Sequence, residues 1–488
     1  MHRFYLLLFL LTSFFSGIAQ PFYFHKQWDK RFGGKAEDGL VCLKQTIDRG
    51  YLLGGNSQSG ISGDKTQACW GYVDYWVVKT DSLGGKQWDK RFGGGGADVL
   101  TALQQTLDGG YMLAGISNSA INGDKTEARR GGNDFWIIKI DAIGNKQWDK
   151  VFGGTLDDNL YAMLQTKDRG YLLGGLSNSP ISGDKTQDNW DLDNSTDDFW
   201  VIKIDSLGNK QWDKRFGGTT EDGISALEET DDGGYILGGY SASDSSGDKT
   251  QGNWGWGDYW IVKIDSTGNK EWDKRYGGTS DDQFGNMIVK NTTGGYTLGG
   301  SSYSDANGDK TQNNKGLSGE DFWIVNIDSV GDKICDRDFG GTDNEILPSI
   351  VQTNDSGLLI CGISQSTDMG GDKSENNLGG YQAWLVKTDI DGNKQWDKTI
   401  FTTGSGFNSF AIQTKDGCYA VARTQEGGIG GYKTEANWDT TNFTADYWII
   451  KFCMDTIRST GVDDRPQTTV EYKCRFGLIL LLQIYLSL

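Results

Sequence analysis

The sequence predicts an all-β ring of repeats, and three observations predict it. A paragraph of about 60 residues recurs seven times, each copy carries four strand-like segments, and the two chain ends are offset by one strand. The marker is Lys26-Gln-Trp-Asp-Lys-Arg-Phe-Gly-Gly34, which returns at Trp88, Trp148, Trp212, Trp272 and Trp396, with Cys335 in the equivalent place of one copy. A repeat of this length cannot bury its apolar face alone, so copies must stack.

The second copy shows the elements in order. Asp98 to Thr106 reads as strand A, and Leu107-Asp-Gly-Gly110 as a tight turn whose glycines accept positive φ. Tyr111 to Ile116 is the return strand B, followed by a long loop carrying Asn122-Gly-Asp-Lys-Thr126. Strand C, Asp134-Phe-Trp-Ile-Ile-Lys-Ile-Asp141, is apolar at both alternating sets and must be covered on both faces. A Gly144-Asn145 turn leads into strand D, Lys146 to Lys150.

Four-stranded units stacked around an axis make a β-propeller, and seven blades lie within its usual range. The first recognisable element is a D strand, Lys26 to Phe32, whereas the last, Asp446 to Phe452, is a C strand. The N-terminal strand is therefore expected to complete the last blade and hide a sheet edge that would invite aggregation. An open solenoid would leave that strand unpaired. The predicted fold is a seven-bladed β-propeller over residues 20–453, and a monomer is expected.

Composition agrees. Gly 71 against Pro 4 describes many tight turns joined by strands that cannot accept proline. Of the 18 tryptophans, thirteen fall on two repeat positions: Trp28, Trp88, Trp148, Trp212, Trp272 and Trp396 on strand D, and Trp76, Trp136, Trp200, Trp260, Trp323, Trp384 and Trp448 on strand C. They read as packing between blades. A net charge of −19 with no basic stripe argues against nucleic acid and anionic membrane as partners.

The ends place the protein. Met1-His-Arg3, the apolar run Phe4 to Phe15 and Gly17-Ile18-Ala19 form a signal peptide over residues 1–19, so a secreted, extracellular or cell-surface protein is expected. The run is too short to span a bilayer. The seven cysteines are odd in number and scattered over repeat positions, which predicts no disulfide framework and a buried free thiol at Cys335. Residues 454–475 read as a polar linker and 476–488 as an apolar tail, too short for a comfortable membrane helix.

The string Asp-(Phe/Tyr)-Trp-Ile-(Ile/Val)-Lys-Ile-Asp-Ser-x-Gly-Asn-Lys-x-Trp-Asp-Lys, continued by Gln-Thr-x-Asp-Gly-Gly-Tyr-x-Leu-x-Gly, resembles repeats of secreted Bacteroidota proteins that often end in a type IX secretion sorting domain. In layout it is similar to kelch and PQQ-type blades. The resemblance spans about residues 26 to 453 and implies a propeller. Past Gly461-Val-Asp-Asp-Arg-Pro466 the expected sorting domain is not evident, because the apolar tail follows at once.

With strands alternating in direction, the long B–C loops and the D–A linkers share one face. The loops carry Asp64, Asp124, Asp184, Asp248, Asp309 and Asp372 before lysine, with Tyr432 in the last copy, and four carry a tryptophan further on: Trp70, Trp190, Trp254 and Trp438. A loop indole offers an apolar face with a polar edge to a sugar ring, or it folds back onto its own blade. In the linkers, Asp38, Asp98, Asp158, Asp222, Asp282 and Glu345 stand where strand A begins and are expected to ring the axial opening. Six carboxylates there would suit calcium, which takes several oxygen ligands; the alternative is that each caps backbone N–H groups of its own turn. No motif requires a cofactor.

A nucleophilic triad needs a general base, and the mature chain keeps one histidine, His25. A carboxylate-pair glycosidase would be expected to break the repeat symmetry, which these acids follow. The sequence therefore favours a binding or interaction module with a glycan or surface protein as partner. A carbohydrate-active hydrolase or lyase is the first alternative and a purely structural surface repeat the second.

Overall fold

The computed structural model describes residues 22–456, except 192, 292–293, 317–318, 378–379, 440 and 442–443. The expected signal peptide, the linker beyond 456 and the apolar tail lie outside the described residues.

Seven four-stranded antiparallel sheets form the ring. Blade 1 contains strands A to D at Asp38–Gln45, Tyr51–Ser57, Asp74–Thr80 and Lys86–Phe92, and blades 2 to 6 repeat this order. Blade 7 takes A, B and C from Gly406–Gln413, Tyr419–Gln425 and Asp446–Thr456, and its D strand is Phe22–Phe32 from the start of the chain. The splice pairs Phe22 with Thr456 and Phe32 with Tyr447. Both strands are longer than the repeat alone indicated, and Met454 to Thr456, read as linker, belong to strand C.

The core lies between blades. Each strand-C tryptophan, Trp76 to Trp448, is fully buried, and in blades 1 to 6 it packs on an aromatic of the preceding blade, as Trp200 does on Phe135 at 5.0 Å. Blade 7 departs from this: Trp448 has no such partner because blade 6 carries Ala383 in place of the aromatic. The indole N–H needs an acceptor in that dry setting. In all seven blades it donates to the strand-D aspartate beside it, at 2.9–3.2 Å from Asp29, Asp89, Asp149, Asp213, Asp273, Asp336 or Asp397. The same carboxylate accepts the Thr or Ser amide of the B–C loop, as from Thr186 to Asp213 at 3.0 Å, and pairs with the lysine three residues earlier, Lys210 at 2.7 Å. The Trp-Asp and Gly-Asp-Lys-Thr motifs are thus two halves of one joint.

On the other face, the strand-C lysine is buried and reaches the aspartate of the A–B turn, as Lys203 reaches Asp168 at 2.8 Å. Blade 5 loses both partners at once, with Asn326 for the lysine and Thr293 for the aspartate. Asn326 instead accepts from Thr297 at 2.6 Å and contacts Cys335, which is half-buried and not the buried thiol expected. The strand-D tryptophans close over the C–D turn of the next blade: a Cβ on Gly84 would lie 2.9 Å from Trp28, and its φ of +80° also demands glycine.

Cys418, just before strand B of blade 7, and Cys453 on strand C form a disulfide, which corrects the expectation of none. The repeat hid this pair: the two cysteines are 35 residues apart, and only the register places them side by side. A loop of that length gives about 3 to 4 kcal/mol in the chain-entropy account.

Candidate functional site

The B–C loops and D–A linkers do share a face, and there the six loop aspartates tie each blade to its predecessor. Asp64 of blade 1 accepts from Arg31 Nη1 at 3.0 Å, Gly33 N at 3.3 Å and Trp438 Nε1 at 2.8 Å, all from blade 7. Asp248 repeats this with Arg215 and Trp190, and Asp309 with Arg275 and Trp254. Asp124 pairs with Arg91 at 2.6 Å, and that guanidinium lies over Trp70. Each of the four loop indoles has an arginine over its ring, at 4.4–5.2 Å.

The remaining junctions show that this clasp is a unit. Where blade 2 has Arg130 in the tryptophan position, strand D has Val151 in the arginine position, and Arg130 itself reaches Asp184 at 2.8 Å. Blade 5 has Lys315 there, 3.8 Å from Asp372, with Asp338 in the arginine position. Between blades 6 and 7 the three positions hold Leu378, Thr399 and Tyr432, and among the described residues no ion pair joins the two blades there. Tyr432 stacks instead on Phe24 and Phe401, at 4.8 and 4.6 Å. Trp70, Trp190, Trp254 and Trp438 still expose 39–60% of their surface.

The linker acids Asp38, Asp98, Asp158, Asp222, Asp282 and Glu345 are wholly buried, so they are not displayed around the opening. Each accepts a glycine amide four residues back, at 2.6–2.7 Å, and a serine hydroxyl, as Asp38 does from Gly34 and Ser59. Among the described residues no three His, Cys, Asp or Glu side chains gather so as to hold a metal. Next to each acid lies the buried lysine of Gly-Asp-Lys, bonded to a strand-B serine, as Lys185 is to Ser177 at 2.8 Å.

Burial raises the linker acids Asp38 and Asp222 to about 6 and Glu345 to about 7, and among the aspartates that open strand C it raises Asp74 to about 6 and Asp198, Asp258 and Asp446 to about 7. The unfolded chain releases those protons near pH 4, so between about pH 4 and 7 the fold holds protons that the unfolded chain has lost, and stability falls as pH rises. Turn carboxylates act in the opposite sense. Asp232, held at about 2 first by the Thr230 hydroxyl, lends stability above its unfolded value that is lost as pH falls through the folded one. Burial depresses Lys185 and Lys249 to about 8, which matters only above that pH. Thermal melting should therefore peak between about pH 4 and 6. A higher melting temperature at pH 8 than at pH 5 would contradict this.

One sector breaks the repeat, and sequence reading missed it. Tyr161, Tyr240 and Tyr303 each occupy a register position that no other blade fills with an aromatic, and all belong to blades 3 to 5. Tyr240 lies flat on Gly257, where an added Cβ would come within 2.0 Å of the ring. Tyr303 donates to Glu320 at 3.3 Å, and Gln283 donates to Asp281 at 2.9 Å. Burial first, then the charge of Glu221 and a hydrogen bond to it, raise Asp197 to about 6. Beside this stripe Trp256 is 85% exposed, and its counterpart on blade 1, Tyr72, is 74% exposed. Both follow a loop tryptophan in the pattern Trp-Gly-aromatic, where the glycine is needed because a linker carbonyl of the next blade would stand 2.1 Å from a Cβ. The signal was in the sequence as a departure from the repeat.

No family model matches the chain. It is 26% identical over 216 residues to Regulatory protein FlaEY of Caulobacter vibrioides, a match covering 42% of this chain and 22% of that protein's length. Among solved structures, it superposes on a protein of unknown function from Dyadobacter fermentans with a TM-score of 0.47 and 9% identity, over 88% of this chain and 99% of that one. BBS1N, solved in complex with ARL6DN, gives a TM-score of 0.44 and 7% identity, over 89% and 97%. Likeness this distant transfers no function, and what stands on the coordinates themselves is a closed seven-bladed β-propeller.

Proposed function

We propose that the protein is an exported binding module whose ligand is a glycan, taken on the loop face at blades 1 and 4. The observation that carries this is the pair of exposed Trp-Gly-aromatic motifs. Trp256 and Tyr72 contribute little to packing, and a large exposed indole beside phenols and carboxyls suits a sugar's apolar face and its hydroxyls. Export is supported by the N-terminal pattern, by the Cys418–Cys453 disulfide and by the resemblance to secreted repeats. The hydrolase reading draws little support from Asp197 and Glu221, because Glu221 is engaged in accepting the Asp197 backbone N–H at 3.2 Å.

Propellers commonly serve as scaffolds for protein interaction, and one observation favours a protein partner as the second reading. Met369, Ile429, Ile61, Ile121 and Ile181 occupy one register position in five neighbouring blades, and each is 59–71% exposed. Such an arc is more apolar than solubility needs.

A glycan array probed with residues 20–456, with and without calcium, separates the readings. Glycan binding should fall at least about tenfold in Trp256→Ala/Tyr72→Ala, with stability changed by less than about 0.5 kcal/mol per site. Binding untouched by that double variant, or no glycan retained at all, would sink the proposal and leave the aliphatic arc as the surface to pursue.

A further inference from the structure

Among the described residues the junction of blades 6 and 7 is the one without an ion pair at its rim, and its interior is also unlike the others. At the five preceding junctions strand C opens with aspartate and the next strand A with aspartate or glutamate. Here those positions hold Gln382 and Gly406, and the aromatic after the first is Ala383. The room so released is taken by Arg423, which stands where strand B of every other blade has a glycine, Gly362 in blade 6. The guanidinium lies on Gly406, where an added Cβ would be 2.2 Å from Arg423 Nε.

Arg423 is wholly buried. Its Nη2 donates to the Tyr381 carbonyl at 2.8 Å, while Nε and Nη1 have no partner. Among the described residues no carboxylate is paired with it; its titratable neighbours are the Cys361 thiol, which burial keeps protonated, and the Lys433 ammonium, a second positive charge. Ser409 lies in the bulge between the pairs Phe407–Thr424 and Phe410–Ala422, opposite Arg423, and its buried hydroxyl is also without a partner. A guanidinium cannot shed its proton at ordinary pH, and an unpaired buried cation costs several kcal/mol. A counter-charge from outside the chain would satisfy both the charge and the open N–H groups.

We propose that the blade 6/7 junction is a structural binding site for one small inorganic anion of the halide class, held by Arg423 with Ser409 as a second donor. Complete burial of both donors favours a monatomic anion over sulfate, phosphate or an organic acid. The anion would do for this junction what the aspartate clasps do for the other six, so the stability of the ring becomes halide-dependent.

The test compares melting in sodium chloride with melting in sodium gluconate at equal ionic strength. The wild-type protein should melt about 1 to 3 °C higher in 0.2 M chloride, and Arg423→Met should abolish the difference. A bromide-soaked crystal should show an anomalous peak within hydrogen-bond distance of Arg423, a reading that does not depend on the variant folding. Equal melting in both salts, a chloride effect that survives in Arg423→Met, or a bromide-free site holding only water would each overturn the proposal.

Discussion

Deleting residues 22–34 should open the ring and lower the melting temperature by about 10 °C or more. The strand removed pairs with Asp446–Thr456 along its whole length, and it supplies Asp29 to the Trp448 indole at 2.9 Å and Arg31 to the clasp on Asp64. Its loss would leave strand C of blade 7 as a bare edge, so the deleted protein should also associate in light scattering. A variant that stays monomeric and melts within 2 °C of the parent would mean that the seventh blade does not need its N-terminal strand.

Trp200→Ala should cost about 3 to 5 kcal/mol, because the side chain is fully buried among Phe135, Ile137 and Leu173 and leaves a large cavity. Asp213→Ala should cost a similar amount by another route: it strands the Trp200 indole N–H, the Thr186 amide and hydroxyl, and the Lys210 ammonium together. Combining the two should cost clearly less than their sum, since they share one joint. Urea unfolding measures all three variants. Strict additivity would show that indole and carboxylate act independently.

The strand-C and strand-D tryptophans were legible as packing because periodicity alone assigns burial. The loop aspartates and indoles were not. Asp64 and Trp438 are 374 residues apart, and nothing in a linear reading says that a loop acid serves the blade before it. The evidence was present as compensation: Val151 beside Arg130, Asp338 beside Lys315, and Thr399 beside Tyr432 mark a pair that changes together, but only once the partners are known to be neighbours. The linker acids were placed correctly at the start of strand A, yet their exposure depends on how tightly the glycine turn folds over them. Tyr161, Tyr240 and Tyr303 are far apart in the sequence, and only the ring gathers them on blades 3 to 5.

By itself the sequence determined the strand order, the number of blades and the N-terminal closure, because these follow from local periodicity, turn chemistry and an offset that can be counted. Only the tertiary structure decided which polar groups are spent on holding the blades together and which remain free. It joined Cys418 to Cys453, turned six loop acids into clasps, buried six linker acids and left Arg423 without a counter-charge. The physical reason is that burial and pairing belong to the contact between blades, and that contact is made by residues about 60 positions apart whose mutual distance no local pattern records.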